Sequence, residues 1–376
     1  MTPTLDRRAL NRALLARQWL LGAPAGATAA DAIEHLVGLQ AQDVKAPYFQ
    51  LWARLPDFDA AQLSELLERR AAVRIALMRS TIHLAPARDA RLLRPLVQDL
   101  IARATERSWG AGADGVDRAE LAAAGRALVE AQPRTFAQLG ALLAERWPHA
   151  DRAALAQQVR AHVPLVQVPP RGLWGRSGAA AHTSLEAWLG DGADDGRRDP
   201  DDAAGELVRR YLAAFGPASV ADMQKWSGLT RLAGAFERLR GELVTFADAE
   251  TGRQLFDLPG APRPPADTPV APRLVGPFDN LVLSHADATR VLPAEHRPKV
   301  MTQNGLIAGM VLIDGFVAGS WRIEATKQRA TLAVATFASK AYTKRDQQAL
   351  AREGRRLLRF AAPGAAEHEV AFTPPG

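Results

Sequence analysis

Between Asp117 and Ser184 the spacing of apolar residues leaves few folds open. Ala119–Glu130 repeats its apolar residues at helical spacing. Thr135, after Pro133, is placed to cap a second helix over Phe136–Arg146, and Asp151 to cap a third over Arg152–His162. Strand periodicity then takes over: Leu165–Val168 and Leu173–Arg176 flank a Pro-Pro-Arg-Gly turn and predict a hairpin. The same order returns from Asp202 to Pro259. There the spacing predicts helices over Glu206–Phe215, from a Ser219 cap to Trp226, and from a Thr230 cap to Arg240, then strands Leu243–Phe246 and Gln254–Leu258 about a Thr251-Gly252 turn. A looser copy comes first, with helices Arg8–Leu20, Ala29–Leu39 and Ala60–Arg69, then strands Val73–Leu77 and Thr81–Ala85.

Three helices followed by a hairpin make the winged-helix pattern, whose second and third helices form a helix-turn-helix. Polar Asp191–Asp202 reads as a linker, and Gly260–Pro272, with five prolines, as the strongest boundary. Beyond it lie short β-rich runs, Leu281–Leu283, Gly309–Ile313, Val317–Trp321 and Ala330–Phe337, and a late helix, Asp346–Phe360. Asp314-Gly315 between two of these strands is a hairpin signal. A small β-barrel or a curved sheet with one helix fits this end. The expected class is therefore α+β, in segments 1–112, 113–190, 200–260 and 271–376.

At 376 residues, with 47% hydrophobic and 23% charged residues, the chain has globular composition. It has no cysteine, which excludes disulfides, iron–sulfur clusters and thiolate zinc sites. Its eight histidines form no tight ligand spacing, so neither a metal nor a cofactor is expected. No apolar run is long enough to span a bilayer, and Arg7, Arg8, Arg12 and Arg17 break up any signal-peptide core. A cytoplasmic, nucleoid-associated protein is the expectation. A net charge of +6, mostly from arginine, permits nucleic-acid binding without proving it. No heptad seam is visible, so a monomer is expected.

The chemistry centres on Gln40-Ala41-Gln42. Residues i and i+2 diverge on a helix but share one side of an extended chain, so the two amides converge only if the helix stops near Gln40. One amide oxygen can then hold a water while the other amide fixes that water or a ribose. Neutral amides suffice where the leaving group is already cationic; a poorer leaving group calls for a carboxylate base. Without further context, two such glutamines also fit helix capping or surface solvation. On a strand, Arg79, Thr81 and His83 share a face, which fits either a polar stripe toward phosphate or an ordinary half-buried strand. Arg171 and Arg176, with Trp174, lie on the second hairpin, where phosphate contacts are common, although Trp174 reads better as packing. The basic run around Lys344, Arg345, Arg352, Arg355, Arg356 and Arg359 fits a solvated helix face better than a phosphate site. Asp279 and Asn280 read as turn caps.

Four stretches in order, GLQAQ…PYFQLWARL, LMRSTIHLAP, GPFDNLVLSHADATRVL and LIDGFVAGSW, resemble the winged helix DNA-binding domain-containing family. Its characterised members are alkylpurine and interstrand-crosslink DNA glycosylases. The resemblance implies three tandem winged helices, a C-terminal β-barrel and a C-shaped channel for double-stranded DNA carrying alkylated purines. It carries the family's catalytic glutamines onto Gln40 and Gln42. One branch has Asp at the second position; this chain does not, which places it with the branch associated with resistance to DNA-alkylating natural products. With Lys45 the only lysine near the motif, the resemblance implies a hydrolytic, monofunctional enzyme rather than a lyase. A winged-helix regulator or DNA-shielding protein without catalysis is the alternative.

Overall fold

A computed structural model describes residues 2–190, 199–302 and 305–373. Its class is α+β. The second group of helices follows the sequence closely, because each helix starts at a strong cap. Asp117 accepts from the Glu120 amide and opens Arg118–Ala131; Thr135 and Gln138 form a capping box before Phe136–Arg146; Asp151 opens Arg152–His162. This group packs about a small core of its own that includes Leu121, Val129, Leu139, Leu155 and Val159.

The first group is richer than expected. Helices Arg7–Arg17, Ala29–His35, Ala46–Trp52 and Ala60–Glu68 precede the hairpin Ala72–Ala76 and Ile82–Pro86, and helices Ala87–Leu96 and Gln98–Trp109 follow it. The third group has Pro200–Phe215, Val220–Ser227 behind a Ser219–Asp222 capping box, and Ala233–Arg238. Thr230 does not cap that last helix, which starts after Leu232 with no side-chain cap. Of the expected linker, 191–198 lies outside the described residues, and Asp199–Asp202 instead cap and begin a helix.

Strand pairing ties the groups together. One six-stranded sheet runs Leu39–Gln40, Ile82–Pro86, Ala72–Ala76, Leu165–Gln167, Ala181–Ser184, Arg134–Thr135, so the first and second hairpins are joined edge to edge through Ile75 and Val166. The third hairpin, Val244–Asp248 with Gln254–Asp257, takes Thr4–Leu5 as a parallel third strand. Beside it Arg17 and Asp257 form a fully buried ion pair at 2.6 Å.

The C-terminal sheet runs Arg273–Val275, Gly309–Ile313, Phe316–Ala325, Arg329–Thr336, Glu367–Thr373. The expected Asp314-Gly315 turn has positive φ at both residues, 49° and 83°, the geometry that matches hairpin twist. The expected barrel is not formed: among the described residues nothing pairs the two edge strands, and the sheet stays open. Helix Lys344–Ala361 occupies the face that closure would enclose. A Cβ on Gly354 would lie 2.7 Å from Leu332 and 2.9 Å from Val370, so the helix backbone rests directly on the sheet. Leu281–Leu283 is no strand either; Asn280–Val282 is a turn of 3-10 helix capped by Asp279.

Candidate active site

The Ala29–His35 helix stops four residues short of the expected Leu39 because Val37 and Gly38 turn left-handed, at φ 53° and 88°. A Cβ on Gly38 would meet the Leu84 carbonyl oxygen at 3.0 Å, so position and conformation both call for glycine. Gly38→Ala is expected to cost about 1–2 kcal/mol, read as a lowered denaturation midpoint; an unchanged midpoint counts against this account of the turn.

The chain then runs extended as an edge strand. Leu39 and Gln40 pair with Leu84 and His83, and the Ala41 amide donates to Ile82 O at 2.8 Å. Gln42 is exposed, and its Oε1 accepts from the Ile82 amide at 3.2 Å. Gln40, only 6% exposed, accepts at Oε1 from Arg79 Nη2 at 2.6 Å. Neither Nε2 has a partner among the described residues. Asp43, the adjacent carboxylate, accepts from the Lys45 and Ala46 amides at 2.7 and 3.1 Å, at the start of the next helix.

The expected strand face of Arg79, Thr81 and His83 needs correction. Met78–Ser80 is a 3-10 turn with left-handed Arg79 and Ser80, so Arg79 is not on the strand. Its guanidinium turns inward, donating also to the Trp226 carbonyl, and burial holds its pKa down at about 10. Thr81 donates to Met78 O at 3.1 Å. His83 is fully buried; its Nδ1 donates to Thr81 O at 3.0 Å, and its Nε2 has no partner. Burial, aided by the Arg79 charge, pulls its pKa down to about 3 and keeps the ring neutral. Arg79 and His83 lie beside Gln40, while half-buried Thr81 bonds back to Met78.

Neither Arg171 nor Arg176 bonds to the glutamines among the described residues. The second strand of their hairpin is Ala181–Ser184, not Leu173–Arg176, because left-handed Gly172 and Gly175 break the intervening chain into turns. Arg171 donates to Gly178 O at 3.3 Å, and Arg176 is exposed. Trp174 packs on Tyr48 and Phe360, with ring centroids 4.8 and 5.0 Å apart.

Several residues that hold the motif went unread. Arg74, buried in an apolar strand, donates to Ala41 O at 2.8 Å and to Gln167 Oε1 at 3.1 Å. Burial and the neighbouring Arg171 pull its pKa down to about 10. A lone charge within Ala-Val-Arg-Ile-Ala was the signal for it. From the C-terminal segment, Asn280 donates to Gly38 O at 3.0 Å, while Gln50 bridges Gln40 O at 3.1 Å and Pro277 O at 3.2 Å. Beneath them Arg54 makes a two-pronged pair with Asp279 at 2.7 and 2.8 Å, both side chains buried. Asp279 does cap its turn, accepting from the Leu281 amide at 2.9 Å, but it also anchors this arginine.

The arrangement offers two neutral amides, Gln40 on the edge strand and Gln42 in the bend after it, with buried Arg74 bonded to the Ala41 carbonyl between them. Comparison with known proteins bears on the chain as a whole. The sequence model of a family described as "DNA glycosylase AlkZ-like" matches residues 33–360. An interstrand DNA cross-link repair glycosylase of Streptomyces sahachiroi is 35% identical over 144 residues, 35% of this chain and 38% of that relative's length. The solved structure of the DNA glycosylase AlkZ of Streptomyces sahachiroi superposes with a TM-score of 0.80 at 22% identity, covering 98% of this chain and all of that one, a likeness of fold.

Proposed function

Since the chain belongs to the AlkZ-like DNA glycosylase family, we propose that it hydrolyses the N-glycosidic bond of N7-alkylguanine in double-stranded DNA, with Gln40 and Gln42 as its catalytic residues. The observation that carries this reading is the pair of uncharged amides two residues apart, Gln40 at the end of an edge strand and Gln42 in the bend after it, with no carboxylate bonded to either among the described residues. A cationic N7-alkylguanine leaves without protonation, so the protein need only place water and steady the sugar as it becomes oxocarbenium-like. Gln42 suits the water: it is exposed, and its oxygen keeps a second lone pair beside two amide hydrogens. Gln40 suits a fixed contact to ribose or base through Nε2.

In this reading the three helix–hairpin groups act as winged helices around a duplex, as a monomer without a cofactor. Exposed arginines such as Arg176 contribute salt-dependent affinity. Bulky adducts, and crosslinks of the kind named for the Streptomyces relative, are the proposed substrates, in base excision repair or in self-resistance to an alkylating natural product. With Lys45 the only lysine near the motif in sequence, the proposed product is an abasic site rather than a nicked strand. No helix among the described residues is long and apolar enough to cross a membrane.

The test is base release from duplexes carrying N7-methylguanine, a bulky N7-guanine adduct, or an interstrand crosslink. Free base with an alkali-labile but unbroken strand is the expected outcome. No release from any of the three by folded, DNA-binding protein overturns the reading and leaves a DNA-binding protein without catalysis.

A further inference from the structure

Gln40 does not set its own orientation. An arginine only donates hydrogen bonds, so the contact from Arg79 Nη2 turns the amide oxygen toward the protein and leaves Nε2 as the outward end. We propose that Arg79 is a positioning residue that fixes the Gln40 amide as a hydrogen-bond donor to substrate, rather than a phosphate contact; this rests on the glycosylase reading above.

Three observations carry it. The first is how firmly the turn is held. Arg79 and Ser80 both sit at positive φ, 55° and 58°, a conformation that costs energy in residues with a Cβ and persists only where the surroundings enforce it. Here they do. Arg160 of the second group donates to Ser80 O at 2.8 Å. In the third group, a Cβ on Gly228 would come within 3.2 Å of both the Arg79 N and Cα, so that helix end lies flush against the turn. The second is the guanidinium's other arm, which donates to the Trp226 carbonyl in the last turn of Val220–Ser227, the end of a helix that favours a cation. The third is what Arg79 lacks. Among the described residues it has no carboxylate partner. Its charge is directed at two neutral oxygens, one of them on a candidate catalytic amide. A cation bonded to an amide oxygen draws electron density from the nitrogen and makes its N–H the better donor. Phosphate binding needs an outward guanidinium, and this one is committed inward from both arms.

The assignment makes Gln40 depend on how the second and third groups seat against the first, although neither group supplies a glutamine.

The contact itself can be tested without activity. In Gln40→Glu the new carboxylate faces Arg79, so carbon NMR should show it titrating below the ordinary glutamate range; in the double variant with Arg79→Met it should titrate above that range. A carboxylate in Gln40→Glu that titrates at or above the ordinary range with Arg79 present overturns the proposal, whether or not the methionine variant folds. Kinetics give the second arm. Arg79→Met should lower kcat by about tenfold to a hundredfold with little change in KM, and should cost nothing further in a Gln40→Ala background. Additive losses, or a loss confined to KM, overturn the positioning role. If Gln40→Ala alone leaves base release unchanged, the catalytic reading of Gln40 falls and the positioning role falls with it, while the titration still judges the Arg79–Gln40 contact independently.

Discussion

Gln42→Ala is expected to abolish most of the proposed base release while leaving duplex affinity and stability near those of the unsubstituted protein. The expected loss is about a hundredfold or more, the scale on which groups that position a reacting water act. Gln42 is exposed and makes a single 3.2 Å bond to a backbone amide, so truncation leaves no buried group stranded. Gln40→Ala differs in kind. It removes an acceptor from the largely buried Arg79, and so should cost about 1–3 kcal/mol of stability besides the rate. Single-turnover release, fluorescence anisotropy with duplex DNA and thermal melting separate the two. A Gln42→Ala enzyme that releases base at the unsubstituted rate removes this residue from the mechanism.

The second large effect is structural and lies far from the motif in sequence. Asp279→Ala strips the partner from a buried arginine. Arg54 keeps bonds to Gln50 O and Gln18 Oε1, both 2.9 Å, but neither oxygen carries a charge. Removing one member of such a pair costs about 3–5 kcal/mol, far more than the intact pair contributes over an apolar substitute. Asp279→Asn should recover part of that loss, since its oxygen can still accept from Arg54. Denaturant unfolding checks both variants; an alanine variant within about 1 kcal/mol of the parent shows that Arg54 finds another partner. Because Gln50 and Asn280 flank this pair and hold the backbone of Gly38 and Gln40, the variant should also release base more slowly than its remaining folded fraction explains.

Local signals were legible and distant ones were not. Thr135, Asp151 and Ser219 announced helix starts because a cap acts within three residues of itself. Thr230 failed as a cap because Arg231 after it is left-handed, at φ 61°, so the helix starts only at Ala233. That the helix ends before Gln40 was legible as a condition, but its cause was not: Val37 takes a left-handed conformation, as does Arg79 beside the motif, and nothing in those side chains favours it. Strand Leu173–Arg176 was misplaced because its residue types suit a strand while the flanking glycines form turns. The pairing of Arg74 with Gln167 and of Thr4 with Ala247 joins residues far apart in the chain, beyond the reach of any periodicity. Asp279 and Asn280 were read as caps alone, since a short sequence window holds no trace of Arg54 or Gly38.

The bond from Asn280 to Gly38 sets an order of events during translation. A ribosome delivers the two glutamines early, with Gln50, Arg74 and Arg79 soon after, but Asn280, which holds the Gly38 carbonyl, lies 242 positions beyond it. Arg79 likewise waits for Trp226. A nascent or prematurely terminated chain therefore carries both amides without the frame that aims them. Domains generally fold as units, from the N-terminal end first, during synthesis; here the first group cannot complete its bracing until the C-terminal segment has emerged and docked.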